Sequence, residues 1–377
     1  MTDRPELMMH FLKTAGWGDA QRRPLAGDAS SRRYERLKGT LGDAVLMDAP
    51  PSAETPACPP GASKKERQAL GYNAQAVLAG DDLTAFIALA RWLASAGFSA
   101  PRILAEDRSS GFLLLEDLGD DLFASHLQSQ DDEKTLYQAA TDVLHALHAQ
   151  DLPETWPGHE DAAYVLKPYD SLAVAAETQL LTTWYAPLAT SRALPDKALH
   201  EYDHLWSALG ETLQSADPVL VLRDYHAENL LWLPDRARLA RVGLLDFQDA
   251  VLGHAAYDLV SLLEDARRDV PIELANAMVQ RYCAQAKAAN RDFEEAAFRS
   301  SYAAWGAQRN AKILGIFARL ATRDHKPQYL EHIPRVWNYL ERDLEHPALH
   351  DLKAWFGTHF PSDIRQQVPV QKDLAHG

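Results

Sequence analysis

Residues 222–249 constrain this chain more than any other stretch. Leu222-Arg223-Asp224-Tyr225-His226-Ala227-Glu228-Asn229 is followed, after a short turn-containing segment, by Leu244-Leu245-Asp246-Phe247-Gln248-Asp249. Asp224 comes just after the apolar run Val219-Leu220-Val221-Leu222, which reads as a short buried strand. Leu230-Leu231-Trp232-Leu233 and Val242-Gly243-Leu244-Leu245 flank the turn Pro234-Asp235-Arg236 and read as a hairpin. A hairpin brings its base residues together, so Asn229 and Asp246 meet at one end. On this reading Asp224, Asn229 and Asp246 all lie at the ends of neighbouring strands. Phosphoryl transfer to a hydroxyl needs such a set: one carboxylate to orient and deprotonate the hydroxyl, and an Asn with a second carboxylate to hold Mg²⁺ on nucleotide phosphates. A lone Asp in a loop is usually a turn or cap residue; the combination and its order carry the chemistry.

The chain upstream of residue 117 mixes strands and helices. Leu7, Met8, Phe11 and Leu12 predict a short amphipathic helix over 5–16. Leu25 to Leu37 holds Gly27, Ser30 and Ser31 between two extended pieces. Exposed backbone N–H groups in such a loop cradle phosphates, with Arg32 or Arg33 adding charge; the same residues also suit an ordinary hairpin loop. Ala44 to Asp48 reads as a strand, and the proline-rich stretch 49–64, which contains Cys58, as a loop. Lys64-Lys65-Glu66-Arg67 reads as a solvated face. Leu83, Phe86, Ile87, Ala90, Leu93 and Ala94 predict a helix ending at Gly97, and Pro101–Leu104 with Gly111–Leu115 a pair of strands. Beyond Glu116-Asp117-Leu118-Gly119 helical periodicity dominates. The fold class expected is therefore α+β in two lobes, a small mixed lobe over 1–117 and a larger, mostly helical one over 118–377. His145 and His148 in the helix at 133–149 lack an evident third metal ligand, so helix packing is their expected role. Asp258 suits a brace for the Asp224 loop or a helix N-cap.

The formal net charge of −15 argues against a general nucleic-acid or anionic-membrane binder. No apolar run approaches the roughly 18 residues needed to cross a bilayer. The two cysteines do not suggest a disulfide framework, and the first residues lack the pattern of a secretory signal. A cytoplasmic, monomeric protein without nucleic-acid or membrane partners is the expectation.

The order of motifs resembles the aminoglycoside phosphotransferase family of the protein-kinase-like fold: a Gly/Ser loop, Leu115-Glu116-Asp117-Leu118 at the lobe junction, Leu144-His145-Ala146-Leu147-His148, the Asp224–Asn229 loop, Leu245-Asp246-Phe247 and Tyr257-Asp258-Leu259. Within it, Gln308 to Leu320, Arg323-Asp324-His325-Lys326-Pro327 and Met47-Asp48-Ala49-Pro50-Pro51 are similar to bacterial cell-wall amino-sugar kinases, which phosphorylate the anomeric hydroxyl of N-acetylmuramate and N-acetylglucosamine in peptidoglycan recycling. The resemblance implies ATP and Mg²⁺ as cofactors and an amino sugar as substrate. It implies Asp224 as base, Asn229 and Asp246 as Mg²⁺ ligands, the Ser30-Ser31-Arg32 loop at the nucleotide, and backbone contacts from Glu116 and Leu118 to adenine. Two departures stand out. Ala44-Val45-Leu46-Met47 has no Lys where the family pairs one with the phosphates, which leaves Arg32, Arg33, a more distant Lys, or Mg²⁺ with backbone N–H groups. His226 and Glu228 stand where relatives carry Pro and Gly.

Arg309, Lys312, Gly315 and Arg319 recur at three- or four-residue steps and share a helix face that suits a carboxylated sugar. Glu177, Trp184 and Tyr185 offer an opposite wall. A surface stripe paired to carboxylates, and core packing, are the alternative readings. Two other functions fit the motifs: a kinase of the same fold for another small alcohol or amine, such as an aminoglycoside or choline, and a non-catalytic nucleotide-binding partner.

Overall fold

The computed structural model describes residues 3–25, 32–50, 57–127, 130–159, 162–215 and 217–369. The first part of the chain forms one antiparallel sheet of five strands: β1 (Gln21–Pro24), β2 (Arg33–Gly39), β3 (Gly42–Asp48), β4 (Ile103–Asp107) and β5 (Phe112–Glu116), in the order β1-β2-β3-β5-β4. Of the short strands that come later, four bear on the site: β6 (Val219–Val221), β7 (Leu230–Trp232), β8 (Val242–Leu244) and β9 (Val251–Gly253). The helices that matter here are α1 (Arg4–Thr14), α2 (Leu83–Ser95), α3 (Gln130–His148), α4 (Ser171–Leu180), α5 (Ala256–Leu263), α6 (Ile272–Ala289), α7 (Glu295–Thr322) and α8 (Ile333–Asp343). No helix among the described residues is long and apolar enough to cross a membrane.

The chain packs as two compact units. One comprises residues 1–143, 150–167 and 227–250; the other comprises 144–149, 168–226 and 251–377. Residue 117 falls inside the first unit, and both units are discontinuous in sequence.

In the first unit, alternation along the strands sorts the sheet's two faces. Leu37, Ala44, Leu46, Phe112 and Leu114 join Met8, Phe11 and Leu12 of α1 and Trp17 in one apolar core. Tyr34 pairs with Met47 and Arg36 with Val45, so these four occupy the other face. The β7–β8 hairpin belongs to this unit because its contacts are with segments far upstream. Leu244 N donates to Ser99 O (2.9 Å), Trp232 N to Asp121 O (2.7 Å) and Ala79 N to Asp249 Oδ1 (2.6 Å). Phe247 stacks on Phe86 of α2 with ring centroids 5.0 Å apart.

Several local expectations are corrected in this unit. Lys64–Leu70 is a helix, capped reciprocally by Ser63 and Glu66, and Arg67 is buried rather than solvated, donating to Ala74 O (3.0 Å) and Gln75 O (2.6 Å). Cys58 is a free thiol and is buried.

The second unit is helical around α7, 28 residues long. Small residues let it pack closely. A Cβ on Gly315 would lie 2.3 Å from the Leu180 carbonyl carbon, and one on Gly306 2.5 Å from Asp343 Oδ1. Gly315 thus admits another backbone, not a ligand. After α4 the helix widens into a π turn over Leu181–Tyr185. His148 Nδ1 lies 2.8 Å from the Tyr282 hydroxyl, and burial pushes its pKa down to about 3, so it is a neutral packing residue. Strands β6 and β9 form their own two-stranded ladder, with Val221 opposite Val251.

Candidate active site

The β7–β8 hairpin sets the position of Asn229 and Asp246. Leu230 pairs with Leu244, and the ladder continues past its end through Leu245 N donating to Asn229 O (3.0 Å). Asn229 and Asp246 are therefore brought to one edge by register alone. Close pairing is demanded at Gly243, where a Cβ would sit 2.9 Å from the Leu231 Cβ. Asp246 has φ +54°, a left-handed conformation disfavoured for a residue with a Cβ. The side chain of Gln248 donates to its Oδ1 (2.7 Å), which fixes the carboxylate's direction. A carboxylate and an amide oxygen are hard donors, and Mg²⁺ characteristically takes only one or two protein oxygens and completes its shell with water and phosphate. That donor set fits Asn229 and Asp246.

Asp224 is organised by other means. It follows β6, which pairs with β9, whereas β7 pairs with β8, so the expectation that all three residues end neighbouring strands is corrected: the strand before Asp224 belongs to a separate ladder. Arg223 has φ +72°, and the surroundings hold it there. Asp258, fully buried on α5, accepts Leu222 N (2.6 Å) and Arg223 N (2.8 Å), one on each carboxylate oxygen. The Ser261 hydroxyl donates to Arg223 O (3.1 Å). Asp258 is thus the brace and not an N-cap. Burial raises its pKa to about 7, the two backbone donors pull it down, and the charge of Asp224 pushes it up.

The Arg223 guanidinium turns back into the helices, over the Tyr169 ring at 5.1 Å, and pairs with Glu177. Glu177 is fully buried on α4. It also accepts from the Tyr169 hydroxyl, from Gln308 Nε2 (2.8 Å) and from Lys312 Nζ (3.5 Å). Lys312 Nζ donates in addition to the Tyr257 hydroxyl. Burial opposes ionisation of Glu177, but Lys312 and Arg223 outweigh it and hold the carboxyl below its usual range. Asp224 follows the same pattern: burial disfavours its charge, and Lys312, with smaller effects from His226, Arg223 and Arg309, wins. Asp224 is ionised at neutral pH.

The remaining residues singled out by sequence are placed as follows. Ser30 and Ser31 lie outside the described residues. Arg32 is buried, and its guanidinium donates to Gly80 O (2.7 Å). Glu116 ends β5; its carboxylate meets Arg102 (3.1 Å) and Arg236 (2.9 Å) and its N–H donates to Arg102 O (2.8 Å), so its side chain and amide are both engaged. Leu118 follows in the adjoining turn. Arg309 is buried and donates to Glu264 O (3.3 Å). Arg319 is half-buried, within electrostatic range of Asp324. Glu177 is corrected from a sugar-facing wall to a brace for the Asp224 loop, because its carboxylate is enclosed and fully engaged. Tyr185, its hydroxyl accepting from Trp337 Nε1 (2.7 Å), is likewise core. The bracing roles of Tyr169 and Gln308 carried no sequence signal that could have found them.

With this geometry, known proteins can be compared. The family model described as "Phosphotransferase enzyme family" matches residues 21–298. This chain belongs to that family. An N-acetylmuramate/N-acetylglucosamine kinase of Caulobacter vibrioides is 45% identical over 97% of this chain and 99% of its own length. The enzyme of the same name from Pseudomonas aeruginosa is 33% identical, with 92% and 91% covered. Among solved structures, a putative aminoglycoside phosphotransferase from Ralstonia eutropha superposes with a TM-score of 0.56 at 16% identity, covering 90% of this chain and 97% of that one. The streptomycin–ATP ternary complex of APH(2'')-IIa gives 0.51 at 14%, covering 92% and 98%. The family member described here is a nucleotide-using phosphotransferase of protein-kinase-like fold, with a sheet-containing N-terminal region and a mostly helical C-terminal region.

Proposed function

We propose that this phosphotransferase is an ATP- and Mg²⁺-dependent kinase for the anomeric hydroxyl of N-acetylmuramate, N-acetylglucosamine or both, acting as a cytoplasmic monomer in peptidoglycan recycling. The observation that carries the reading is the 45% identity, across nearly the whole of both chains, to a protein named for those two sugars. Residues 1–117 serve nucleotide binding, and 118–377 catalysis and the sugar.

Asp224 orients the sugar hydroxyl and accepts its proton as the oxygen attacks the terminal phosphorus of ATP and the bond from that phosphorus to the β–γ bridging oxygen breaks, releasing ADP. A carboxylate held ionised by neighbouring cations is a weak base. That suits an anomeric hydroxyl, which is more acidic than the other hydroxyls of a sugar. Asn229 and Asp246 would hold Mg²⁺, which would supply positive charge against the charge that develops on the transferring phosphoryl group. Ser30, Ser31 and Arg32 are assigned to the nucleotide, with Arg32 as the cation that takes over from the absent Lys on β3. Tyr34 supports this role for Arg32, because its buried hydroxyl feels both Arg32 and Asp246. Glu116 and Leu118 contact adenine through their backbone. Arg309, Lys312 and Arg319 are the cations assigned to a carboxylated sugar; Arg309 and Lys312, buried against Glu264 O and Glu177, would act through their charge at Asp224 and not by contact with the sugar.

The deciding experiment is an ATP-consumption screen over N-acetylmuramate, N-acetylglucosamine, aminoglycosides and choline, with the phosphorylated position read by phosphorus NMR. Turnover of the two amino sugars, with the phosphate on the anomeric oxygen, is expected. Turnover confined to an aminoglycoside or choline would remove the proposal.

A further inference from the structure

Arg36 stands on β2, on the sheet face it shares with Tyr34, Val45 and Met47. Its guanidinium is not in the core and not free in solvent. It is spread over two carboxylates that bracket one short turn. Nε lies 2.6 Å from Asp117 Oδ2, and Nη2 donates to Asp117 Oδ1 (3.1 Å) and Asp120 Oδ1 (2.8 Å). Nη1 donates to the second oxygen of Asp120. Asp117 Oδ1 also accepts Gly119 N (2.9 Å), and Gly119 has φ +88°. The side chain of Leu118 points away, within 3.5 Å of where a Gly243 Cβ would lie. The turn 117–120 is thus folded around one planar cation whose fork geometry matches carboxylates.

This turn immediately follows Glu116 and contains Leu118. Recognition of a base by backbone N–H and C=O groups depends on those groups being held within tenths of an ångström. A Gly in the left-handed region and two aspartates give this segment little stiffness of their own. We propose that Arg36 is the positioning residue for the nucleotide base: its clamp on Asp117 and Asp120 fixes the backbone of residues 116–118 and so sets adenine affinity and selectivity. The inference rests on the reading that Glu116 and Leu118 contact adenine. Arg36 touches neither phosphate nor sugar in this account, so its loss acts on base recognition and not on the chemical step.

The test is steady-state kinetics of the full chain with N-acetylglucosamine as acceptor and MgATP or MgUTP as donor, for the wild type, Arg36→Met, Arg36→Lys and Asp120→Asn. Arg36→Met should raise KM for ATP about tenfold, leave kcat within about threefold, and shrink the preference for ATP over UTP by a similar factor, the pattern of lost binding that is equal in ground and transition states. Arg36→Lys, a point charge without the fork, should recover only part of this. Asp120→Asn, on an exposed carboxylate, should raise KM about threefold in the same direction. An unchanged KM and ATP preference in folded Arg36→Met, or a loss confined to kcat, overturns the proposal; should that variant not fold, Asp120→Asn decides on the same criteria. A wild type that does not distinguish ATP from UTP overturns the adenine contacts themselves, and the proposal with them, whereas a selective wild type whose variants stay selective overturns the role of Arg36 alone.

Discussion

Asp224 and the Asn229–Asp246 pair are held by opposite means. The hairpin that carries the pair is positioned by ladder hydrogen bonds, by the missing Cβ of Gly243 and by the stacking of Phe247 on Phe86. Few of those contacts involve charge. The Asp224 loop is held by a buried polar network in which Glu177 accepts from four side chains and Asp258 from two backbone groups. The difference follows from what each has to do. An ion's ligands need only be placed, because their usual pKa already leaves them ready. A partly enclosed base needs its charged form favoured as well, and here neighbouring cations do that. Mutations should therefore separate along this line, geometry on one side and proton affinity on the other.

The largest effect is expected for Asp224→Asn. It should cut kcat by about 10³-fold or more while nucleotide affinity in calorimetry is unchanged; substantial turnover would remove its role as base. Asp246→Ala comes next. It should weaken Mg²⁺-dependent nucleotide binding by about 10²-fold without altering the thermal transition greatly, and an unchanged affinity would show that the hairpin does not carry the ion. Lys312→Met tests the charge side. The strongest influence holding Asp224 ionised is lost, so the acid limb of the kcat/KM–pH profile should move to higher pH. Its stability cost should fall below the ~3–5 kcal/mol typical of breaking a buried pair, because Arg223 still faces Glu177. A limb that does not move would separate Lys312 from the base.

The smallest effect concerns Asp258. Its folded pKa, about 7, lies above the unfolded value of 3.8. Its contribution to stability is therefore fully present below about pH 4 and is lost as pH rises through about 7. Asp258→Asn removes this titration and one acceptor. The variant should be less stable by about 1–3 kcal/mol, and its gap to the wild type in denaturant melts should narrow between pH 5 and 8. A gap that widens with pH would contradict the raised pKa.

The hairpin half of the site was legible in the sequence because its information is local: two apolar runs, a turn, and acids at fixed offsets. The helices at 83–95 and 130–148 were legible for the same reason, their apolar periodicity. What could not be read is the company each charged residue keeps. Arg309 and Lys312 at helical spacing look like an exposed cationic stripe, yet both are buried, Lys312 because a carboxylate 135 residues earlier, on α4, meets it there. Glu177 by itself carries no signal of its role, since its partners Arg223, Gln308 and Lys312 come from distant parts of the chain. The discontinuous units escape a linear reading likewise, because Ala79, Phe86 and Ser99 draw residues 227–250 into the unit built by the start of the chain. One local signal was there to be used: Ser63 and Glu66 spell a capping box, which predicts the helix that was missed at 64–70.

Gly315 gives the charge network a mechanical dimension. Lys312 lies one turn before it on α7, and Glu177 one turn before Leu180 on α4, so the place where the two helices touch backbone to backbone also gauges the depth of the ion pair. Any side chain at 315 would act as a spacer, prising the helices apart and stretching the link between Lys312 and Glu177. The contact works as a mechanical stop in a helix pair, transmitting a change of one methyl group to the proton affinity of a carboxylate on a different segment of the chain.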